Sequence, residues 1–198
     1  MPFAPESKLS GVGHTDFIGR IWYQRTIDIP ADWSGRNVML NFGAVYYTSE
    51  VYVDGRFVGR HFGGSTSFSY DITAFVKPGG SHSLVVFATS DLRSGKQTAG
   101  KQSLQYASHS CDYTRTTGIW QTVWLESVPE AYIEKLNIEN HGASVTISTV
   151  PPLEGTVSVE QLGQFPLENG QVTIAPENPR FWCPDDPYLY RFTVETAQ

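Results

Sequence analysis

Along most of this chain apolar and polar residues alternate with a period of two, and no stretch sustains a period near 3.6, so the sequence predicts strands rather than helices. Residues 20–29 set Ile21, Tyr23, Ile27 and Ile29 against Trp22, Gln24, Thr26 and Asp28. After a turn at Pro30-Ala-Asp-Trp-Ser-Gly35, residues 36–42 repeat the pattern with Val38, Leu40 and Phe42 on one face. Residues 49–53 and 56–60 flank Asp54-Gly55, the dipeptide that favours a type I′ hairpin turn. Residues 68–72 read as short and extended. Asp71 is placed to cap a single helical turn that ends at Lys77-Pro-Gly-Gly80. Residues 83–89 are apolar on both faces, which predicts a central strand covered on both sides. Further on, Ile119, Gln121, Val123 and Leu125 oppose Trp120, Thr122, Trp124 and Glu126, which predicts one strand with both tryptophans on the same face.

Two stretches lack any period. Residues 1–19 read as an extended lead-in. Residues 90–110 are polar, and a structureless loop of that length inside a compact domain is usually functional. This loop runs into Cys111-Asp-Tyr-Thr-Arg-Thr-Thr-Gly-Ile-Trp120, where an acid (Asp112), an aromatic (Tyr113) and a base (Arg115) stand just before the strand. Chemistry held on a loop by a rigid sheet is a common arrangement. An ion pair between Asp112 and Arg115 is the simpler expectation for the same residues.

Beyond residue 130 the strands shorten to 132–138, 144–149, 156–161, 171–174 and 188–196, with turn residues between them. Charge changes at the same place. Residues 1–129 hold 11 basic and 10 acidic side chains, net +1, whereas residues 130–198 hold 3 and 10, net −7. A boundary within 127–131 follows, giving domains 1–129 and 130–198. The expected fold class is all-β: a jelly-roll sandwich followed by a small immunoglobulin-like sandwich. The second piece is short of the ~100 residues that a full immunoglobulin domain needs.

Composition narrows the chemistry. The formal charge of −6 argues against a nucleic-acid groove. No apolar run is long enough to span a bilayer, and the first residues do not read as a signal peptide, so the default expectation is cytoplasmic. Charged residues make up 17% and aromatic residues 13% of the chain, a balance that suits a sugar-handling β protein. Cys111 and Cys183 are expected to be free thiols. His109-Ser-Cys-Asp112 lacks a second ligand cluster at metal spacing, so no metal or cofactor is expected. Asp185-Asp186 lies between prolines and reads as turn chemistry. Trp120 and Trp124 serve either as a sugar platform or as packing, and Tyr46, Tyr47, Phe62 and Tyr106 form a second candidate platform.

The order of these pieces resembles the N-terminal half of glycoside hydrolase family 2, the β-galactosidases, β-glucuronidases and β-mannosidases. The stretches that carry the likeness are Pro2-Phe-Ala-Pro-Glu-Ser7, Trp22-Tyr-Gln-Arg25, Leu40-Asn-Phe-Gly-Ala44, Val51-Tyr-Val-Asp-Gly55, Phe68-Ser-Tyr-Asp-Ile-Thr73, Asp112-Tyr-Thr-Arg-Thr-Thr-Gly-Ile-Trp120, Trp124-Leu-Glu126 and Asn178-Pro-Arg-Phe-Trp-Cys-Pro-Asp-Asp-Pro-Tyr-Leu-Tyr190. The resemblance implies a galactose-binding-like jelly roll and a truncated immunoglobulin-like domain, which in the family precede a (β/α)8 barrel that carries the two catalytic glutamates. It therefore implies no catalytic residue here. The expected substrate-binding residues are Asp112, which would reach the hydroxyls of a terminal sugar, with Arg115, Tyr113 and Trp120. It implies a β-glycoside ligand, with a catalytic barrel or a second copy as partner, and no nucleic acid or membrane. It also implies that the jelly roll starts after its first strands, leaving an open edge. Tyr46, Phe62, Ser65, Ser67 and Cys183 depart from the family pattern. A free-standing carbohydrate-binding module and a ligand-free structural sandwich are the alternatives.

Overall fold

The computed structural model describes residues 3–196. They form two compact units that divide between Pro129 and Glu130. Both are all-β, and among the described residues no helix is long and apolar enough to cross a membrane.

The first unit contains β1 (Arg20–Asp28), β2 (Asn37–Phe42), β3 (Val45–Tyr46), β4 (Thr48–Val53), β5 (Arg56–Phe62), β6 (Phe68–Asp71), β7 (Ser81–Thr89), β8 (Gly118–Ile119) and β9 (Val123–Val128). A four-stranded sheet has the order β1-β7-β4-β5, a three-stranded sheet the order β6-β2-β9, and β3 pairs with β8 as a short ribbon. All pairings are antiparallel. Alternation does the sorting. Ile27, Val51, Val53, Leu84 and Val86 of the first sheet meet Val38, Leu40 and Phe42 of the second in one buried core. This is the jelly-roll sandwich that the periodicity predicts.

Asp54 (φ 49°) and Gly55 (φ 76°) both take the left-handed conformation, as a type I′ turn between β4 and β5 demands. The Asp54 carboxylate also accepts the Ser83 N–H at 2.8 Å and lies 2.7 Å from His82 Nδ1, pinning the hairpin to β7. Asp71 accepts from the N–H of Thr73 at 2.9 Å and starts the expected single turn, Thr73–Phe75.

Two expectations need correction. β7 is central, but its outer face is not covered by a second layer. Val85 and Phe87 are half-buried there, and Phe87 is shielded by Trp22, stacked on it at 4.2 Å between ring centroids. The predicted strand through 119–126 is also broken. β8 pairs with β3 and β9 with β2, and the residues between them are irregular, so Trp120 and Trp124 do not share a strand face. Alternation in the sequence passes through the break because Gln121 and Thr122 happen to keep the phase.

The second unit contains β10 (Lys135–Asn140), β11 (Val145–Val150), β12 (Gly155–Val159), β13 (Gly163–Leu167), β14 (Gln171–Ile174) and β15 (Phe192–Thr196). They form two three-stranded sheets, β10-β11-β14 and β13-β12-β15, around Ile147, Val157, Val159, Leu167 and Ile174. β13 escapes the sequence reading because Pro166 interrupts it. The proline is tolerated because β13 is an edge strand, where one side of the backbone needs no ladder. Arg180 pairs with Asp186, and Cys183 and Asp186 exchange backbone hydrogen bonds of 3.1 Å across a turn, so the acidic pair does serve turn geometry.

Phe42 is fully buried and stacks on Phe68 at 4.7 Å. Phe42→Ala is expected to cost about 3–5 kcal/mol in urea unfolding, the range for a truncated core aromatic, whereas Phe62→Ala, at a side chain 63% exposed, stays within about 0.5 kcal/mol.

Candidate functional site

The long loop is held from behind by one cation. Arg115 is 4% exposed, and its two terminal nitrogens donate to four backbone carbonyls. Nη1 reaches Ser103 at 3.1 Å and also Gln105, while Nη2 reaches Tyr106 at 3.2 Å and also Thr15. The guanidinium lies over the Phe17 ring at 4.1 Å from its centroid, and Arg93 lies over the same ring at 4.0 Å. The remaining donor, on Nε, is buried without a partner. A planar fork with five donors suits this task, and a lysine could not span four acceptors.

The strand entry is tied down residue by residue. The Tyr113 N–H donates to Lys101 and the Ser103 N–H to Tyr113, both at 2.7 Å. The Thr116 N–H donates to Gln102 Oε1 at 2.9 Å. The Thr117 N–H is bifurcated over the buried Glu6 carboxylate at 3.1 and 3.2 Å, and the Ile119 N–H donates to the Tyr23 hydroxyl at 3.1 Å. Gly118 is required at that point: its φ is +70°, and a Cβ there would stand 2.2 Å from the Tyr23 oxygen. Burial, followed by the Glu6 charge and opposed by the Ile119 N–H, pushes the Tyr23 phenol up to about 12.

The tip of the loop carries the candidate acid. His109 and Asp112 exchange backbone hydrogen bonds of 3.0 and 2.9 Å, closing a tight turn with Ser110 at φ 52°. Ser108 fastens Thr114, two residues past Asp112, its hydroxyl accepting the Thr114 N–H at 3.2 Å. The Asp112 carboxylate itself has no hydrogen-bond or ion-pair partner among the described residues. Tyr113, beside it, is 64% exposed.

The predicted residues are therefore only partly brought together. Asp112 and Tyr113 share the tip. Arg115 does not pair with Asp112: its donors are taken by carbonyls, so both the expected ion pair and direct neutralisation of the acid are replaced by a structural clamp. Trp120 sits past the entry, its indole N–H donating to the Gly64 carbonyl at 2.9 Å. Of the second platform, Tyr46 is 5% exposed and donates to the Thr98 carbonyl at 3.0 Å, so it is not available, while Phe62 and Tyr106 are exposed. Glu6, Phe17, Tyr23 and Ser103 are essential to this architecture and were not legible as such. The only signal was that an acid and two aromatics stand in or beside a lead-in without period. Cys111 and Cys183 are both free and exposed.

Residues 13–129 match the family model described as glycosyl hydrolases family 2, sugar binding domain. A β-galactosidase of Thermoanaerobacter pseudethanolicus is 28% identical over 88% of this chain and 25% of its own length. A β-glucuronidase of Paenibacillus borealis is 27% identical over 91% of this chain and 34% of its own length. The chain thus spans about a quarter to a third of the curated relatives it matches. Among solved structures, a Faecalibacterium prausnitzii β-glucuronidase superimposes with a TM-score of 0.75 at 24% identity, over 100% of this chain and 38% of that one. A Ruminococcus gnavus β-glucuronidase gives 0.68 at 22%, over 92% and 33%. At these identities the structural likeness concerns the fold.

Arg115→Ala is expected to lower stability by about 2–3 kcal/mol, the scale for hydrogen bonds to a charged group. It should also raise amide exchange at Ser103 and Tyr113 on the order of tenfold or more, with Arg115→Lys recovering only part of the protection. Tyr23 gives a pH signature. Its folded pKa of about 12 exceeds the ordinary 10.0, so its stabilising share is whole below pH 10 and is lost as pH rises toward 12. Urea midpoints across that window should fall more steeply for the native chain than for Tyr23→Phe.

Proposed function

The chain belongs to glycoside hydrolase family 2, and from that premise we propose that it is the non-catalytic carbohydrate-recognition portion of a β-galactosidase- or β-glucuronidase-like enzyme. The observation that carries this reading is an Asp112 carboxylate without a partner among the described residues, at the tip of a loop clamped by Arg115. A carboxylate is an acceptor only, and sugar hydroxyls are donors that fit it. Because the loop is ordered in advance, little conformational entropy is lost when a ligand is held. Tyr113 offers an exposed ring face to the C–H side of a sugar, Trp120 shores up the strand entry, and Arg115 positions the acid from behind.

Hydrolysis with retention needs two carboxyl groups about 5–5.5 Å apart, and inversion needs them somewhat farther apart. A lone acid on a loop suits recognition: it discriminates against a ligand lacking the hydroxyl that it accepts. In this reading the chemistry belongs to a barrel that the recognition unit supports, and the ligand is the terminal sugar of a β-glycoside.

Titration calorimetry of the chain against a β-galactoside and a β-glucuronide should give saturable, weak binding, about millimolar. Asp112→Ala should weaken it roughly tenfold to a hundredfold, and chromogenic β-glycosides should remain uncleaved. Heat unchanged by Asp112→Ala, or hydrolysis by the chain alone, contradicts the proposal. Absence of heat with every sugar would reduce the chain to a scaffold.

A further inference from the structure

At the root of the long loop the first unit contains a pocket of about 180 Å3, and none of its lining residues belongs to the Asp112 tip. Segments far apart in sequence meet there: residues 17–19 of the lead-in, residues 90–93 just after β7, Gln102 from the loop, and Arg115 and Thr117 from the strand entry. Sites that enclose small organic molecules begin at roughly 300 Å3. A pocket of this size suits an ion with its water rather than a sugar ring.

Its charge is unbalanced. Arg93 is exposed, and its guanidinium lies over the Phe17 ring with no hydrogen bond or ion pair among the described residues. Arg115 lies over the same ring. Carbonyl dipoles occupy its terminal nitrogens but do not cancel its charge, and its Nε is a buried donor without a partner. Two cations thus share one ring, and no carboxylate pairs with either among the described residues. Asp91 is the one acid in the lining, and it makes no ion pair among them. Asp16, next to the ring, accepts the Phe17 N–H at 2.6 Å and does not line the pocket. The lining therefore carries a net positive charge of about one, two arginines against one aspartate.

We propose that this pocket binds a small oxyanion, a sulfate or phosphate group, with Arg93 as the fork that grips it and Arg115 as the charge behind it. A guanidinium is weakly hydrated and presents paired N–H groups that match two oxygens of such an anion. Ser90 and Thr117 add hydroxyls to the lining. Gln102 spends its carbonyl oxygen on the Thr116 N–H, so what it has left to offer is N–H. The donors come from separate segments, so an anion held among them braces the lead-in, the end of β7 and the strand entry against one another. It also supplies the negative charge that the Arg115 clamp lacks. The group arrives either as the free ion or as an ester on a larger molecule whose remainder stays outside the pocket.

Sodium sulfate titrated into the isotopically labelled chain tests this, with ionic strength held constant by chloride and circular dichroism confirming that each variant is folded. Sulfate stabilises most proteins by exclusion from their surface, so the readout is saturation of amide shifts rather than a gain in unfolding midpoint. Saturable shifts are expected at Gly19, at residues 90–93 and at Gln102 and Thr117, with a dissociation constant of about millimolar. Arg93→Gln should weaken binding about tenfold or more. Asp91→Asn, which removes the opposing charge, should tighten it about threefold. Asp112→Ala should leave it within about twofold, separating this pocket from the sugar site. Galactose 6-sulfate binding more tightly than sulfate, with galactose failing to compete, assigns the group to a sulfated sugar; equal or weaker binding assigns it to the free ion. Shifts that stay linear in sulfate, that chloride reproduces, or that persist unchanged in Arg93→Gln overturn the proposal.

Discussion

The long loop that carries Asp112 depends on a buried cation with no counter-ion among the described residues. Removing a guanidinium from water costs several kcal/mol even after relaxation, and a lone acceptor would not offset that. Arg115 is tolerated at 4% exposure because four carbonyl dipoles converge on it and an aromatic ring lies beneath it. The four carbonyls come from Thr15, Ser103, Gln105 and Tyr106, so the lead-in and the long loop must both be folded before the charge is satisfied. Loss of one tie strands the cation and weakens the others. A polar segment with no period of its own thereby acquires one conformation.

From that clamp outward the site is built by subtraction. Backbone donors of the strand entry are taken by Lys101, Gln102, Glu6 and Tyr23, and backbone groups of the tip by His109. Besides the buried Arg115 Nε, the Asp112 carboxylate is left without a partner among the described residues, next to an exposed tyrosine. A frame that leaves an outward carboxylate open is suited to receiving a donor from a ligand, and a sandwich core built on Leu40, Phe42, Val51 and Val86 gives it a stiff base.

Much of the architecture was legible because burial enforces period. β1, β2, β4, β7 and the Asp54-Gly55 hairpin follow directly from alternation and turn chemistry. The misses share a cause. β13 contains Pro166, which is allowed only by its place at a sheet edge, and edge or centre is a tertiary property. The break after Ile119 is invisible because polar residues continue the alternation where the chain leaves one sheet for another. At the candidate site, Asp112 was singled out by its position in a charged loop and by family resemblance. The role of Arg115 was not. Sequence proximity pointed to Asp112 as its partner, whereas its acceptors include the carbonyl of Thr15, a hundred residues earlier in the chain. Backbone acceptors leave no trace in side-chain identity.

Amide chemical-shift mapping tests the central claim most directly, namely that this clamped loop is where the chain meets a sugar. As a β-glycoside is titrated into the isotopically labelled chain, shifts should concentrate at Lys101–Ser103 and His109–Thr114, and they should vanish in Asp112→Ala while the core signals stay in place. Saturable shifts gathered elsewhere on the molecule, with the Asp112 loop unmoved, would contradict the account.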